Sequence, residues 1–388
     1  MNEMSVPFES LDCAYISGLV EGGVDESTTV DYKSELKNLK TDSEKKDYLK
    51  DLASFANTQG GIIVWGIREE DGVPKEIVGV EESSIDNAIL QMEQLAKTGV
   101  EPAIPGVMTK RIPVAGGHCV IQRVPRSLIG PHMVCYGNYD RFFMRMSRSN
   151  NPMDYRDIRR AFLASEGRFE ALRKARGARI TSIAGGDTPV TLDYDNFQVL
   201  HVIPLAGGDT NLSVSEFCSK GSLFHALRGE GSGTPTINFD GVVFHDGSYR
   251  EENTSTYCQV FRSGMIEAVG PIAYYGADRI PSVDVEETSI EGAKAYIAGL
   301  MALGVAYPFA IGIALVGVKG YKIFKGTAEN YGHFRRFREN VLVVPEIVVE
   351  DAGAKIDAVL RPAFDCIWNA GGHSCSPNYD ENGNWNGH

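Results

Sequence analysis

Between Glu26 and Asp71 the chain reads ESTTVDYK and then SEKKDYLKDLASFANTQGGIIVWGIREED, and this order constrains the fold more than any other stretch. An acidic strand is followed by a polar helix, a Gly-Gly turn, an apolar strand and an acidic loop. Val30 to Lys33 is a strand candidate whose period of two puts Asp31 and Lys33 on one face and Val30 and Tyr32 on the other. Glu26 lies an odd number of residues before Asp31, so it must reach the same place from the preceding turn. Ser43 is the expected N-cap of a helix running to about Asn57, with Leu49, Leu52, Ala53 and Phe55 as its apolar stripe. Gly60-Gly61 ends that helix, Ile62 to Ile67 has strand length, and Arg68, Glu69, Glu70 and Asp71 leave its far end. Carboxylates therefore collect near one place.

The same residues resemble the AlbA-like domain of the Schlafen family. The resemblance is carried by Glu26-Ser27, Val30-Asp31-Tyr32-Lys33, Lys50-Asp51-Leu52 and Phe55-Ala56-Asn57-Thr58-Gln59-Gly60-Gly61, and again by Arg141-Phe142-Phe143-Met144-Arg145 with Ser149 to Met153. It spans about residues 20–165. It implies a mixed α/β AlbA-like domain over 1–165; the helix and strand patterns that follow predict a second mixed α/β domain over 180–370, so the expected class is α+β. The resemblance also implies a metal-dependent endoribonuclease that cuts tRNA or rRNA with three acids. Two of those acids fall on Glu26 and Asp31 and the third on Glu69, with Asp71 the other candidate, so Glu26, Asp31 and Glu69 are the implied metal ligands. Mg²⁺ or Mn²⁺ is the implied cofactor. Two departures bear on catalysis: Asp31 stands where the family has Glu, and Arg68 stands where the first acid often falls.

Clustered carboxylates suit this chemistry, since a hard cation polarises a phosphoryl oxygen and activates a bound water. Lys33, on the face of Asp31, could stabilise a developing phosphorane. An ion pair with Asp31 or Glu35 is its plain structural alternative. Asn57 and Thr58 read as turn-stabilising groups.

The net charge of −13 opposes nucleic-acid binding when taken alone. Its distribution does not. Between Ile104 and Ser165 ten basic residues face three acidic ones, a balance of +7, which leaves −20 for the rest. The basic residues expected to meet RNA are Lys110, Arg111, Arg123, Arg126, Arg141, Arg145 and Arg148, interleaved with Tyr136, Tyr139, Phe142 and Phe143 as base stacking would want. A solvated face of a half-buried strand gives the same alternation.

Seven scattered cysteines without a CxxC pair, and no basic start leading into an apolar leader, predict reduced thiols in a cytoplasmic protein. Ala295 to Val318 is uncharged, but Gly304 and Pro308 interrupt it. A buried helix and then a core strand are expected there rather than a membrane span. A helix from Asp154 through Arg176 is expected to join the domains, with the boundary at 165–182. Further strands are expected at Phe197–Pro204, Pro235–Phe244, Tyr257–Val269, Phe309–Val318 and Val341–Val348, and helices at Ser289–Leu303 and Ala354–Trp368. Residues 371–388 are polar and read as a disordered tail. The GEGSG at 229–233 lacks the Lys-Ser/Thr of a phosphate loop, and His118-Cys119 and His373/Cys375 lack a second pair for zinc.

The expected function is thus an endoribonuclease acting on structured RNA, tRNA first, in keeping with anti-phage defence. The other readings are a non-catalytic nucleic-acid or nucleotide sensor or transcriptional regulator, and an assembly protein whose second half docks a protein partner. Animal Schlafen nucleases use two related lobes and this chain has one copy, so a homo-dimer is expected.

Overall fold

The computed structural model describes residues 6, 8–36, 39, 41–80, 85–127, 129–205, 212–228, 235–245, 253–272, 278–325, 335–350 and 352–387. The chain divides into two compact units, one ending at Ala171 and the other beginning at Leu172. Both mix helices and strands, so the class is α+β. The GEGSG stretch lies outside the described residues.

The first unit contains helices α1 (Cys13–Glu21), α2 (Asp42–Ala56) and α3 (Ile85–Thr98). Its strands are β1 (Val30–Lys33), β2 (Gly60–Trp65), β3 (Ile67–Glu70), β4 (Val73–Ile77), β5 (Val100–Glu101), β6 (Met108–Val114), β7 (Gly117–Pro125), β8 (Met133–Cys135), β9 (Asp140–Met146) and β10 (Ser149–Pro152). One sheet runs β1-β2-β7-β6 and a second β10-β9-β8-β5, while β3 and β4 form a hairpin. β1 is parallel to β2, with Asp31 beside Ile63 and Lys33 beside Trp65.

Strand β2 is apolar throughout because both of its faces are covered. Ile62 and Val64 join Val30, Tyr32, Ile16 and Leu19 on the α1 side, while Ile63 and Trp65 join Leu49, Leu52 and Phe55 of α2 on the other. Each such fully buried side chain contributes about 1.5–3 kcal/mol. Helix α2 begins at Thr41 rather than Ser43. The Thr41 hydroxyl accepts from the Glu44 N–H and the Glu44 carboxylate accepts from the Thr41 N–H, a reciprocal cap that Ser43, inside the first turn, cannot make. Gly61 must be glycine: a Cβ there would lie 2.5 Å from the Phe55 ring and 2.6 Å from the Thr29 carbonyl.

The division between the units falls inside one helix, α4 (Tyr155–Ala184), longer than the expected Asp154–Arg176. The second unit carries β11 (Thr191–Leu192), β12 (Phe197–Pro204), α5 (Val214–Ser219), β13 (Thr236–Ile237), β14 (Gly241–His245), β15 (Asn253–Thr254), β16 (Tyr257–Phe261) and β17 (Ile266–Pro271). After them come β18 (Arg279–Pro281), α6 (Ser282–Ala302), β19 (Phe309–Val316), β20 (Lys322–Phe324), β21 (Val341–Val343), β22 (Ile347–Val349) and α7 (Ile356–Ala370). An eight-stranded sheet runs β13-β14-β16-β17-β12-β19-β21, with β22 also paired to β19. Ile297, Leu300, Leu360 and Phe364 of α6 and α7 belong to one core of this unit, and Ile180 and Ile183 of α4 to another with Val199 and Tyr257.

The Ala295–Val318 run is the end of α6 followed by β19, and among the described residues no helix is long and apolar enough to cross a membrane. The seven cysteines are free. The expected disordered tail is instead anchored at Ser376, Asn378 and Trp385, with Glu381, Asn382 and Asn384 exposed. Ser376 and Asn378 are buried, and the Ser376 hydroxyl, Asn378 amide and Trp385 indole all donate to the Glu286 carboxylate, which also accepts from Trp368. Composition suggested disorder because Asn, Ser and Gly dominate; the buried carboxylate supplies the partner that orders them.

Candidate functional site

Alternation along β1 sends Val30 and Tyr32 into the α1-side core and leaves Asp31 and Lys33 to meet each other. Lys33 Nζ lies 2.5 Å from Asp31 Oδ2 and 3.8 Å from Asp51 Oδ2. The other Asp31 oxygen, Oδ1, accepts from Arg145 Nη2 at 2.8 Å, and both of these side chains are almost wholly buried, at 4% and 1% exposure. Arg145 is fixed on every side: its Nε donates to the Ser27 carbonyl, Nη2 also to the Val30 carbonyl, and its guanidinium covers the Phe55 ring at 4.7 Å. Its backbone N–H is held by the Thr58 hydroxyl.

The turn before β1 overcomes the odd spacing of Glu26. The Glu26 N–H donates to the Gly72 carbonyl, the Gly72 N–H donates to Glu69 Oε2, and Glu26 Oε1 accepts from the Tyr32 N–H at 2.9 Å. Those bonds bring the start of β1 and the β3–β4 turn together, so Glu26 and Glu69 act electrostatically on one another. Burial, reinforced by the Asp31 and Glu69 charges against the Tyr32 hydrogen bond, lifts the Glu26 carboxyl above its ordinary range.

Asp51 joins the cluster from α2, and the sequence did not single it out. Its Oδ1 accepts from Asn150 Nδ2 at 2.5 Å, and the Asn150 side-chain oxygen Oδ1 in turn accepts from the Ser54 hydroxyl and from Arg145 Nη1. Burial pushes the Asp51 carboxyl up to about 6, further than the nearby Lys33 charge pulls it down. For Lys33 burial works the other way, but the Asp51 and Asp31 carboxylates outweigh it and hold the ammonium above its usual value. The sequence signals for Asp51 are its place in the Lys50-Asp51-Leu52 motif and its helical spacing with Ser54 and Thr58, a polar edge beside the apolar stripe. A cavity of about 280 Å³ opens beside this network, walled by Lys33, Asp51, Lys50, Asn150, Trp65 and Met92 among others.

Two of the seven basic residues expected to meet RNA, Arg123 and Arg145, are buried. Arg145 is consumed by Asp31, and Arg123 is buried, stacked on Phe8 and donating to the Val6 carbonyl. The alternation of Arg141-Phe-Phe-Met-Arg145 sends Arg145 to the same side as buried Phe143, which is the physical reason for that correction. Arg111 pairs with Asp86, and exposed Arg148 donates to the Asp71 carbonyl. Lys110 and Arg126 are half-buried. Arg141 remains exposed, with its guanidinium 5.6 Å from the Tyr139 ring centre. Around that ring the fold adds two lysines that sequence reading missed: Lys46 at 5.5 Å and Lys50 at 5.6 Å, with Lys45 over Tyr136 at 5.5 Å. Arg68, the departure at the first acid position, is tied to Glu76.

Glu26, Asp31 and Glu69 do not fit a Mg²⁺ or Mn²⁺ site as they stand. Both oxygens of Asp31 face cations of this chain, and one oxygen each of Glu26 and Glu69 is capped by a backbone N–H. Among the described residues no three His, Cys, Asp or Glu side chains are grouped to hold a metal ion.

Residues 26–154, which contain every side chain of this network, match the family model of the Schlafen, AlbA_2 domain. No curated protein matches the chain. Among solved structures, the DIP2311 protein from Corynebacterium diphtheriae is 23% identical over 36% of this chain and 26% of its own, with a TM-score of 0.26. The N-terminal domain of a RecG-related protein from Nitrosomonas europaea is 19% identical over 28% of this chain and 71% of its own, with a TM-score of 0.23. The chain thus spans about a quarter of the length of the first of them.

Proposed function

We propose that the Schlafen AlbA_2 domain of this chain binds RNA and cleaves its phosphodiester backbone beside Lys33. The observation that carries this reading is the Lys33 ammonium, held against Asp31 and Asp51 at the mouth of a cavity and inside the segment that matches the family model. A half-buried cation fixed before substrate arrives can stabilise charge developing on a phosphorane, because little reorganisation is needed at that moment. The Lys46, Lys50 and Arg141 group around Tyr139 offers cations for phosphate contacts, Lys50 also pairing with Asp47 and the ring itself already stacked on Phe143. Structured RNA with exposed loops, tRNA above all, is the substrate class that this group suits.

A second reading is favoured by Asp31. Its complete ion pairing by Lys33 and Arg145 also suits a site that binds RNA and does not cut it, as a sensor or regulator would.

The test uses the full chain with end-labelled tRNA, scored for binding by gel shift and for cleavage on a denaturing gel. Arg141→Ala and Lys46→Ala are each expected to weaken binding and to lower the salt slope by about 1. Discrete fragments that Lys33→Met abolishes support cleavage at this site; binding with intact RNA supports the sensor; absence of both sinks the RNA reading.

A further inference from the structure

We propose that cleavage at this site runs without a divalent metal, the attacking group being the RNA's own 2′-hydroxyl and the base that takes its proton being Asp51. This rests on the RNA-cleavage reading above. Asp31, which a metal would need, is already neutralised by Lys33 and Arg145 through both of its oxygens. Activating a water through a cation would mean dismantling that buried ion pairing. RNA needs no activated water, because each ribose carries a nucleophile next to its own phosphorus.

Asp51 has the placement for proton transfer. It lies in the cavity wall with Oδ1 fixed by Asn150 and Oδ2 turned toward Lys33, 3.8 Å away and beyond hydrogen-bond distance. The charged groups that act on it are Lys33, Asp31 and Arg145, neutral Asn150 is in direct contact, and Glu44, Asp47 and Lys50 line the same cavity. Their sum, with burial, leaves a carboxyl that loses its proton at about 6, so it is ionised at neutral pH and strong enough as a base to take a hydroxyl proton in the transition state. Lys33 lines the same cavity and balances the phosphorane.

The step closes on itself. The O2′–P bond forms and the P–O5′ bond breaks. The 2′-proton goes to Asp51, the leaving 5′-oxygen takes a proton from solvent, and Asp51 returns its proton to solvent. The products are a 2′,3′-cyclic phosphate and a 5′-hydroxyl; nothing is oxidised and no co-reactant is consumed.

The experiment compares full-length protein on tRNA in EDTA and in Mg²⁺ or Mn²⁺, with Asp51→Asn purified in parallel and with an RNA carrying a 2′-deoxy residue at the cut position. Expected are fragments with 2′,3′-cyclic phosphate ends in EDTA, a rate that rises through about pH 6, and no cutting at the deoxy position. Asp51→Asn should cut about 100-fold more slowly while binding RNA as before. The deoxy substrate tests the nucleophile without altering the protein, and the parallel variant exposes any contaminating ribonuclease, which would cut equally in both preparations. Cutting only with metal, with tolerance of the deoxy residue, or equal cutting by Asp51→Asn, overturns the inference; the first of these leaves the cleavage reading standing. RNA bound and intact under every condition overturns both.

Discussion

Arg145 is the side chain whose loss should cost the first unit most. Replacing it with Met leaves the Asp31 carboxylate buried against Lys33 alone, and breaking a buried pair in this way costs about 3–5 kcal/mol. Asp31→Asn placed on top of Arg145→Met should recover part of that loss, because the uncompensated charge is gone; denaturant melts of the four proteins give the coupling directly. If the single and double replacements melt alike, the ion pair is not what holds this corner. In the second unit Glu267 occupies a similar position, accepting two bonds from Arg179 and one each from His201 and Tyr257. Burial alone would raise its carboxyl, but the Arg179 and His201 bonds outweigh it and bring it down to about 2. A carboxyl depressed in the folded state stabilises above its unfolded value near 4.5 and loses that contribution as pH falls toward 2. Glu267→Gln should therefore lower stability by about 3 kcal/mol at pH 7 and progressively less on acidification, read as the gap between two melting curves at each pH. Asp31 and Lys33 were legible in the sequence because two-residue alternation fixes their face. Arg145 was read as an RNA contact because charge is the stronger habit; that it shares a face with Phe143 was the available counter-signal. Asp51 was hidden by its own helix, where polar residues ordinarily face water.

At the scale of elements, the punctuation decided what could be read. Strand β1 and the long apolar β12 stand where their patterns put them, while the expected strand Tyr257–Val269 is two strands turned at Gly264, whose φ of +81° calls for glycine. Pro235–Phe244 breaks in the same way at Asp240-Gly241. Both turns were written in the sequence as short polar-Gly pairs inside runs apolar enough to look continuous. Helix α2 matters most to the site, since it carries Lys46, Lys50, Asp51 and Ser54. Thr41→Ala removes one half of its reciprocal cap and should cost about 1 kcal/mol, with Ser43→Ala as the comparison that costs little. Equal losses for the two would put the helix start back at Ser43.

For the molecule as a whole, the α+β class followed from alternating helix and strand patterns, and the second unit's role did not, because no motif there carries recognisable chemistry and buried carboxylates among its described residues are satisfied by their neighbours. Glu267 with Arg179 and Glu286 with its four neutral donors are examples. The single AlbA_2 match leads to the prediction that two chains associate, each supplying one lobe to the RNA. Light scattering at micromolar concentration should give the mass of a pair, near twice 42.3 kDa; a monomer that cuts RNA at full rate would remove the idea. Glu286 finally sets an order on biosynthesis. Its carboxylate is buried against Trp368, Ser376, Asn378 and Trp385, all of which are translated some 80 to 100 residues later. While a ribosome is still adding those residues the Glu286 carboxylate lacks these donors, so packing around α6 is expected to complete only once residues 368–385 have emerged, and a nascent chain stalled short of Ser376 should remain more open to protease there.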